Sequence, residues 1–409
     1  MIEMPEAVGS LVRSVGLSTA MKAAGVVTGL LPIPQPLLFT GPGASKRLGF
    51  ALAAQGHRKV LVVTDATVAS LGLAKGFLAA LKKGGTDYVV FDGIGADAPI
   101  PDVTRGLALL RHRGCDAVAA IGGGSPLDAA KAIAYAAANG KAPEKLAGYF
   151  RGLKAPLPLY AIPTTAGTGS EVTVAAVISD PDEGRKLVIA DTRLVPAMAA
   201  LDPELMTGLP RSVTAATGMD ALTHAVEAFI GQWAGDHTDR LALAATAMIF
   251  ENLPVACERG RNLEARERMA LAATFAGLAF TRANVGYVHA IAHQLGGKYH
   301  VPHGLANAVL LPRVLRALGP SIAKRLALLA VRAGLGKEKE KPAVLARRFI
   351  EAVEALSTRI GIPESIDALQ AADIPALAKA ACREADANYP VPKYLSERQV
   401  EAILRGVLP

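Results

Sequence analysis

DAVAAIGGGSPLDAAKAIAYAAANG, residues 116–140, holds the fold in miniature: an apolar run, a glycine turn and a helix. Residues 117–121 are small and apolar with no polar alternation, the pattern of a strand covered on both faces. Gly122, Gly123 and Gly124 let the backbone approach a phosphate closely and point its N–H groups at it. Ser125 then reads as an N-cap, Pro126 as the first helical residue and Asp128 as the reciprocal acid of a capping box. A helix starting behind that cap offers about half a positive charge to a bound pyrophosphate.

The same unit recurs on both sides. KVLVVTD (59–65) is a buried strand ending in an acid, with one helix through ATVASLGLAKGFLAALKK behind it. DYVVFDGI (87–94) is the next strand, followed by a helix from Asp102 to Arg113. PLYAIPTTAGTGSE (158–171) is a fourth, with its own polar loop. Strand, helix, strand repeated this way predicts an α/β domain over residues 36–205, built on a parallel sheet. Ligands of such sheets bind outside the carboxyl ends of the strands, where Thr64–Asp65, Gly122–Ser125 and Thr164–Ser170 fall. Thr164, Thr165, Thr168 and Ser170 supply hydroxyls of the kind that partner phosphate and ribose. Asp65 suits the two ribose hydroxyls of an adenosine and would repel a 2′-phosphate, which favours NAD over NADP.

After Pro203 the β signal fades. Segments 212–230, 239–256, 263–282, 286–297, 306–317, 320–333, 343–360, 373–384 and 396–407 read as helices, so residues 206–409 predict an all-α domain. That half holds a divalent-metal pattern. Asp220 and His224, four apart on one helix, leave the same face. His289 has His293 one turn further on. His303 follows fourteen positions after His289, behind a turn at Gly296–Gly297 and Pro302. The chain has 8 histidines, and four of them fall within 289–303, a concentration that separates them from scattered surface residues. One carboxylate and three imidazoles suit Fe(II), Zn(II) or a similar first-row ion, a Lewis acid if one coordination position stays open.

The remaining features exclude rather than assign. Apolar residues make up 51% of the 409 and aromatics only 5%, so Ala, Val and Leu fill the cores of two domains. Cys115, Cys257 and Cys382 are odd in number and in no CxxC pair, which suits a cytoplasmic enzyme. The net charge of +8 is dispersed, and Lys337–Lys341 alternates sign, so nucleic acid is not an expected partner. No uninterrupted apolar run reaches the roughly eighteen residues of a membrane span. Residues 1–35 form an extension with Glu3 and Glu6 where a signal peptide would be basic. Its Leu11, Val12, Val15, Leu17, Met21, Val26, Val27, Leu30 and Leu31 predict one or two amphipathic helices that pack on the body or on a neighbouring subunit.

GGGSPLDAAK, PTTAGTGSE, GMDALTHAVEAF and HAIAHQLGGKYHVPHGLANAVLLP together resemble the iron-containing (group III) alcohol dehydrogenases, from about residue 36 to the C-terminus. The resemblance implies a dehydroquinate synthase-like architecture and places the metal ligands on Asp220, His224, His289 and His303. It implies nucleotide contacts at Asp65, Gly122, Gly123, Gly124, Ser125, Asp128, Thr164, Thr165, Thr168 and Lys186. His293 matches a histidine near the nicotinamide that does not bind the metal. It is the candidate for relaying a proton or orienting the nicotinamide, with tautomer support for His289 as the alternative. The implied cofactors are NAD and iron, the implied partner a small alcohol or aldehyde, and the implied assembly a homodimer or higher homo-oligomer. Hydroxyacid–oxoacid transhydrogenases and maleylacetate reductases are similar, and dehydroquinate synthase-type lyases more distantly. The extension and YPVPKYL near the C-terminus depart from the usual pattern.

Overall fold

The computed structural model describes residues 6–409, and within them every side chain except those of residues 6–15, 20 and 27. Leu11, Val12, Val15, Val27, Glu3 and the Glu6 side chain therefore lie outside the described residues. Helix α1 (Glu6–Gly29) is followed by β1 (Leu37–Thr40), α2 (Ala44–Ala53), β2 (Lys59–Val63), α3 (Ala66–Ser70), α4 (Lys75–Lys83), β3 (Asp87–Phe91), α5 (Ile100–Arg113), β4 (Ala117–Gly122) and α6 (Gly124–Asn139). Five strands come next: β5 (Gly148–Tyr149), β6 (Leu159–Pro163), β7 (Ala175–Asp180), β8 (Arg185–Ala190) and β9 (Met198–Leu201).

All six strands of the main sheet are parallel, in the order β1-β9-β6-β4-β2-β3. Period-two alternation sends Leu61, Val63, Val118 and Ala120 into one core, with Ile133 and Tyr135 of α6. Val60, Val62, Ala119 and Ile121 enter the other, with Leu48 and Phe77. Because both faces are covered, these strands read as continuous apolar runs. Strands β6, β4 and β2 are neighbours, so their three carboxyl-end loops stand side by side, and strand order reverses between β2 and β4.

Three features depart from the sequence expectation. The helix after β2 breaks at Gly72, where φ is +68°, into α3 and α4. Strands β1 and β9 join the sheet as well, four residues each. A separate small sheet, β5-β8-β7, pairs β7 and β8 antiparallel.

The remaining helices are α7 (Arg211–Ile230), α8 (Asp236–Glu258), α9 (Leu263–Ala283), α10 (Tyr287–Tyr299), α11 (His303–Leu318), α12 (Ala323–Arg332), α13 (Pro342–Ile360), α14 (Ile374–Asn388) and α15 (Glu397–Arg405). Two compact units result: residues 32–214 with 255–277, and residues 6–31 with 215–254 and 278–409. Where one cut near 205 is expected, most of α9 instead packs with the α/β unit. The reason is local. Gly169 and Gly277 meet backbone to backbone, the Thr274 hydroxyl donates to Glu171 at 2.7 Å, and Arg266 Nη1 donates to the Thr214 hydroxyl at 2.8 Å.

In the helical unit, α1 is held by the chain's single tryptophan: Trp233 Nε1 donates to the Met21 carbonyl at 2.7 Å, and the indole lies where a Gly25 side chain would be. Ser18 adds a hydroxyl bond to Gln232 at 3.0 Å. Val26 and Leu30 stay exposed. Among the described residues, α8 alone is long and apolar enough to cross a membrane by length and mean hydropathy. It carries Asp239, which accepts two hydrogen bonds from Arg325 at 2.7 and 2.6 Å.

A methyl group on Gly277 would meet Val172 Cγ2 at 2.7 Å and the Gly169 carbonyl at 2.9 Å, whereas one on Gly76 meets nothing within 4 Å. Gly277→Ala is therefore expected to cost about 1–3 kcal/mol through overpacking. Gly76→Ala should be neutral or stabilising by up to about 1 kcal/mol. Urea unfolding of the two variants checks both signs.

Candidate metal centre and nucleotide loops

Helix α7 presents Asp220, His224 and Glu227 at i, i+4 and i+7, one face of the helix. Helix α10 supplies His289 and α11 supplies His303 from its first turn. The two are separated by His300 in the left-handed conformation (φ 56°) and Pro302; Gly296 and Gly297 lie inside α10, so the expected Gly-Gly turn is not one. Helix α11 lies close against α7 because residue 304 is glycine: a Cβ there would fall 2.5 Å from the Ala216 carbonyl oxygen and 3.4 Å from Asp220 Cβ.

One ligand atom from each of Asp220, His224, His289 and His303 lies within 4.8 Å of the other three. The first three residues are buried and His303 is half-buried. His289 Nε2 and His303 Nε2 stand 4.0 and 3.5 Å from Asp220 Oδ1. The His224 ring stacks on Phe280 (centroids 4.2 Å apart) and on His289 (4.6 Å).

Two further residues organise the cluster. Glu227, buried, accepts from the Gly286 amide at 2.9 Å, the Val288 amide at 2.7 Å and His289 Nδ1 at 2.6 Å. It thereby caps α10 and fixes the His289 tautomer with Nε2 presented to the ligand set. Burial pushes the Glu227 carboxyl up to about 7, against its backbone amide donors. Asn307, fully buried one turn after His303, donates Nδ2 to Asp220 Oδ1 at 2.7 Å and lies 3.2 Å from both His289 Nε2 and His303 Nε2. An acid and an amide within helices are ordinary surface residues in sequence; only their i+7 and i+4 spacing from the ligands marks them.

The chemistry of the set fits a cation. Burial drives the His289 imidazole well below its usual pKa, which keeps it neutral with a lone pair to donate. Asp220 sits below the carboxylate range although burial opposes its charge, because His224, His303 and His289 and the Asn307 amide surround it. His224 Nδ1 and Asn307 Oδ1 are buried and have no hydrogen-bond partner among the described residues. A pocket rich in acceptors and poor in donors is satisfied by a positive ion.

His293 lies beside the cluster and outside it. Its ring stacks on His303 (centroids 5.5 Å apart), and Nδ1 is bonded to Glu384 at 2.7 Å. Tautomer support for His289, the alternative role for His293, belongs to Glu227 instead.

In the α/β unit the glycine loop and the hydroxyl loop face each other. Thr164 N donates to the Gly122 carbonyl at 2.9 Å. A Cβ on Gly124 would strike Thr168 Cγ2 at 2.9 Å, and one on Gly122 would strike Pro126 at 2.6 Å with Asp65 Oδ2 3.4 Å away. Thr165 lies beside Gly123. Asp65 Oδ1 caps α3 through Val68 N at 2.9 Å, which leaves Oδ2 on the Gly122 side.

The capping box at Ser125 is not formed. Helix α6 begins at Gly124 with Gly123 as N-cap, and no side chain caps it. The Ser125 hydroxyl instead accepts from Asp97 N at 3.0 Å. Asp128 points inward, accepting from the Ser170 hydroxyl at 2.6 Å and Val177 N at 3.0 Å. With Gly122 and Gly123 ahead of it, the helix can start as soon as the strand ends. Its first amides then remain for an anion. Lys186 Nζ pairs with Asp97 at 2.8 Å. Lys131, which the sequence hides in an alanine run, is buried and braces the hydroxyl loop by donating to the Thr173 carbonyl and hydroxyl and the Ala175 carbonyl. Burial lowers its ammonium to about 8.

Two family models cover the chain: Iron-containing alcohol dehydrogenase over residues 35–203, and Fe-containing alcohol dehydrogenase family, C-terminal, over residues 214–408. The chain is 41% identical to a 1,3-propanediol dehydrogenase of Klebsiella pneumoniae over 372 residues, 90% of this chain and 96% of the relative. It is 40% identical to an NAD-dependent methanol dehydrogenase of Bacillus methanolicus over 328 residues, 80% and 86% of the two chains. A crystal structure of a 1,3-propanediol oxidoreductase superposes with a TM-score of 0.89 at 39% identity, covering 92% of this chain and 99% of that one. The chain belongs to the iron-containing alcohol dehydrogenase family. It is an oxidoreductase of that group, with the group's N-terminal α/β sheet domain and helical C-terminal domain.

Removing the carboxylate that orients His289 should be felt at the metal. Glu227→Gln is expected to weaken divalent-ion affinity about 10- to 100-fold. Competition against a chromogenic chelator measures this, and unchanged affinity would refute the orienting role.

Proposed function

We propose that the enzyme interconverts a small primary or secondary alcohol with its aldehyde or ketone, using NAD(H) and one divalent ion, Fe(II) first and Zn(II) next. The observation that carries this reading is the convergence of four ligand atoms within 4.8 Å in a buried, acceptor-rich pocket. A divalent ion bound there supplies Lewis acidity toward the alcohol or carbonyl oxygen, and bound NAD supplies the hydride acceptor.

The chain's own residues do the rest. Asp220, His224, His289 and His303 hold the ion, with Glu227 and Asn307 fixing their orientation. Gly122, Gly123, Gly124 and Ser125 present uncapped helix amides to the pyrophosphate. Thr164, Thr165 and Thr168 offer hydroxyls from the facing loop, and Asp128 braces that loop through Ser170 rather than touching the nucleotide itself. Lys186 adds a cation once released from or shared with Asp97. Asp65 Oδ2 accepts from the adenosine ribose. His293 moves the proton that alcohol oxidation releases, through the nitrogen that Glu384 leaves open. A lyase acting on a phosphorylated acid would want free cations beside the metal ligands. Lys298, the one lysine or arginine within 284–303, is tied to Asp373 at 2.5 Å. The three buried cysteines, none of them in a disulfide, suit the cytoplasm, and a homodimer or higher homo-oligomer completes the proposal. NADH consumption with short aldehydes, with Fe(II) or Zn(II) added to metal-stripped protein, tests the whole reading.

Cofactor choice follows from Asp65. NAD(H) should be preferred, and Asp65→Gly should relax that preference by about 1 to 3 kcal/mol, roughly 5- to 150-fold in the ratio of kcat/KM values. Higher kcat/KM with NADPH in the unmutated enzyme would contradict it.

The two histidines of α10 should separate. His289→Ala is expected to lose bound metal and turnover together. His293→Ala should keep the metal and lose about 10²- to 10⁴-fold in turnover. Elemental analysis beside steady-state kinetics distinguishes them, and the reverse pattern would exchange their roles.

A further inference from the structure

The segment YPVPKYL, residues 389–395, is tied to the elements that carry the site. Gln232, in the turn just after α7, donates Nε2 to the Val391 carbonyl at 2.6 Å, and the Tyr287 hydroxyl in α10 accepts from Leu395 N at 2.9 Å. Its first residue reaches further. The Tyr389 hydroxyl donates to Glu384 Oε1 at 2.7 Å, the same oxygen that meets His293 Nδ1 at 2.7 Å. Glu384 Oε2 accepts from Gln294 Nε2 at 2.7 Å. Both carboxylate oxygens are thus held by side chains of α10, and Oε1 is held from the other side by residue 389 as well.

We infer that Glu384 is a positioning residue for His293 and that Tyr389 holds Glu384 in place. A carboxylate accepting from Nδ1 forces that nitrogen to carry the proton, so the neutral imidazole has its lone pair on Nε2. Nε2 has no hydrogen-bond partner among the described residues, and the side chain is about a quarter exposed. A proton can then be taken up at one defined atom. Without Glu384 the ring could rotate about its side chain and populate both tautomers, leaving only a fraction of molecules ready for transfer. Tyr389 removes one alternative for Glu384 by occupying the lone pair of Oε1 that His293 does not use. The inference rests on the proton-transfer role proposed for His293, while the tautomer itself can be read without any turnover.

The test uses full-length, zinc-loaded protein labelled with ¹⁵N, so that the ion is diamagnetic. Long-range ¹H–¹⁵N correlation of the imidazoles, with the His293→Ala spectrum identifying the signals, reports which nitrogen bears the proton. The expected unmutated pattern is Nδ1–H. Glu384→Ala should shift both ¹⁵N frequencies toward a mixed population and lower kcat at least 10-fold. The KM for alcohol should stay within about twofold and the zinc content unchanged. Glu384→Asp should recover part of the kcat and of the Nδ1–H pattern. Tyr389→Phe, which deletes one hydroxyl, should move the same signals by a smaller amount, and it decides the matter if Glu384→Ala does not fold. Unaltered His293 nitrogens in Tyr389→Phe and Glu384→Ala, or a predominant Nε2–H tautomer in the unmutated protein, would overturn the inference. An Nδ1–H signal in a protein with no alcohol-dependent NAD reduction would leave the positioning standing and sink the proposed function instead.

Discussion

A buried carboxylate that accepts three N–H bonds is the constraint on which the helical unit turns. Glu227 receives two backbone amides from the start of α10 and the Nδ1 proton of His289. Each bond serves a different level of structure. The amides set where α10 begins, and the imidazole bond sets which way its first histidine points. Burial opposes the charge that makes Glu227 a good acceptor, and the three donors offset only part of that cost. The position tolerates no bulk opposite it: a Cβ at residue 286 would fall 2.9 Å from Glu227 Oε1. Glycine there and glutamate on α7 are one device made of two residues.

Close approach is also how the α/β unit builds its anion loop. Gly122 and Gly124 are small because Pro126 and Thr168 occupy the space where side chains would go. Beneath them a buried polar group does the bracing. Asp128 and Lys131, one turn apart on α6, reach Ser170, Thr173, Val177 and Ala175, so a single helix fixes both the loop and the strand that follows it. The loop that would meet the nucleotide is therefore shaped from behind, and of its hydroxyl residues Thr165 and Thr168 stay partly exposed while Thr164 and Ser170 are buried.

How much of this was readable from sequence depended on how unusual each residue is in its setting. Strands β2, β4 and β6 stood out because double burial turns them into unbroken apolar runs such as KVLVV, and the edge strand β3 because of its β-rich DYVVF. Strands β1 and β9 did not, since LLFT and MAAL are too short to show a period and owe their place to pairing between residues 37–40 and 198–201. The small sheet escaped for a different reason: β5 has two residues, and the exposed side chains of β8 give no clean alternation. Asp220, His224, His289 and His303 were legible because histidine is scarce in this chain. Glu227, Asn307 and Glu384 were not, because glutamate and asparagine are common on solvated helix faces, and only packing turns them inward. The Ser125 capping box failed because the glycine run lets α6 begin at Gly124, two residues earlier than a cap at Ser125 would allow.

The attachment of α1 through the indole of Trp233 has an optical consequence. Because the chain has one tryptophan, all of its red-edge ultraviolet emission arises at that junction. Loss of the bond to the Met21 carbonyl would expose the indole to water and shift the emission to longer wavelength. Intrinsic fluorescence of this enzyme is thus a built-in gauge of whether residues 6–29 are docked. A denaturation curve followed by that signal alone would record the departure of one helix, and only circular dichroism beside it would show whether the rest of the chain had unfolded.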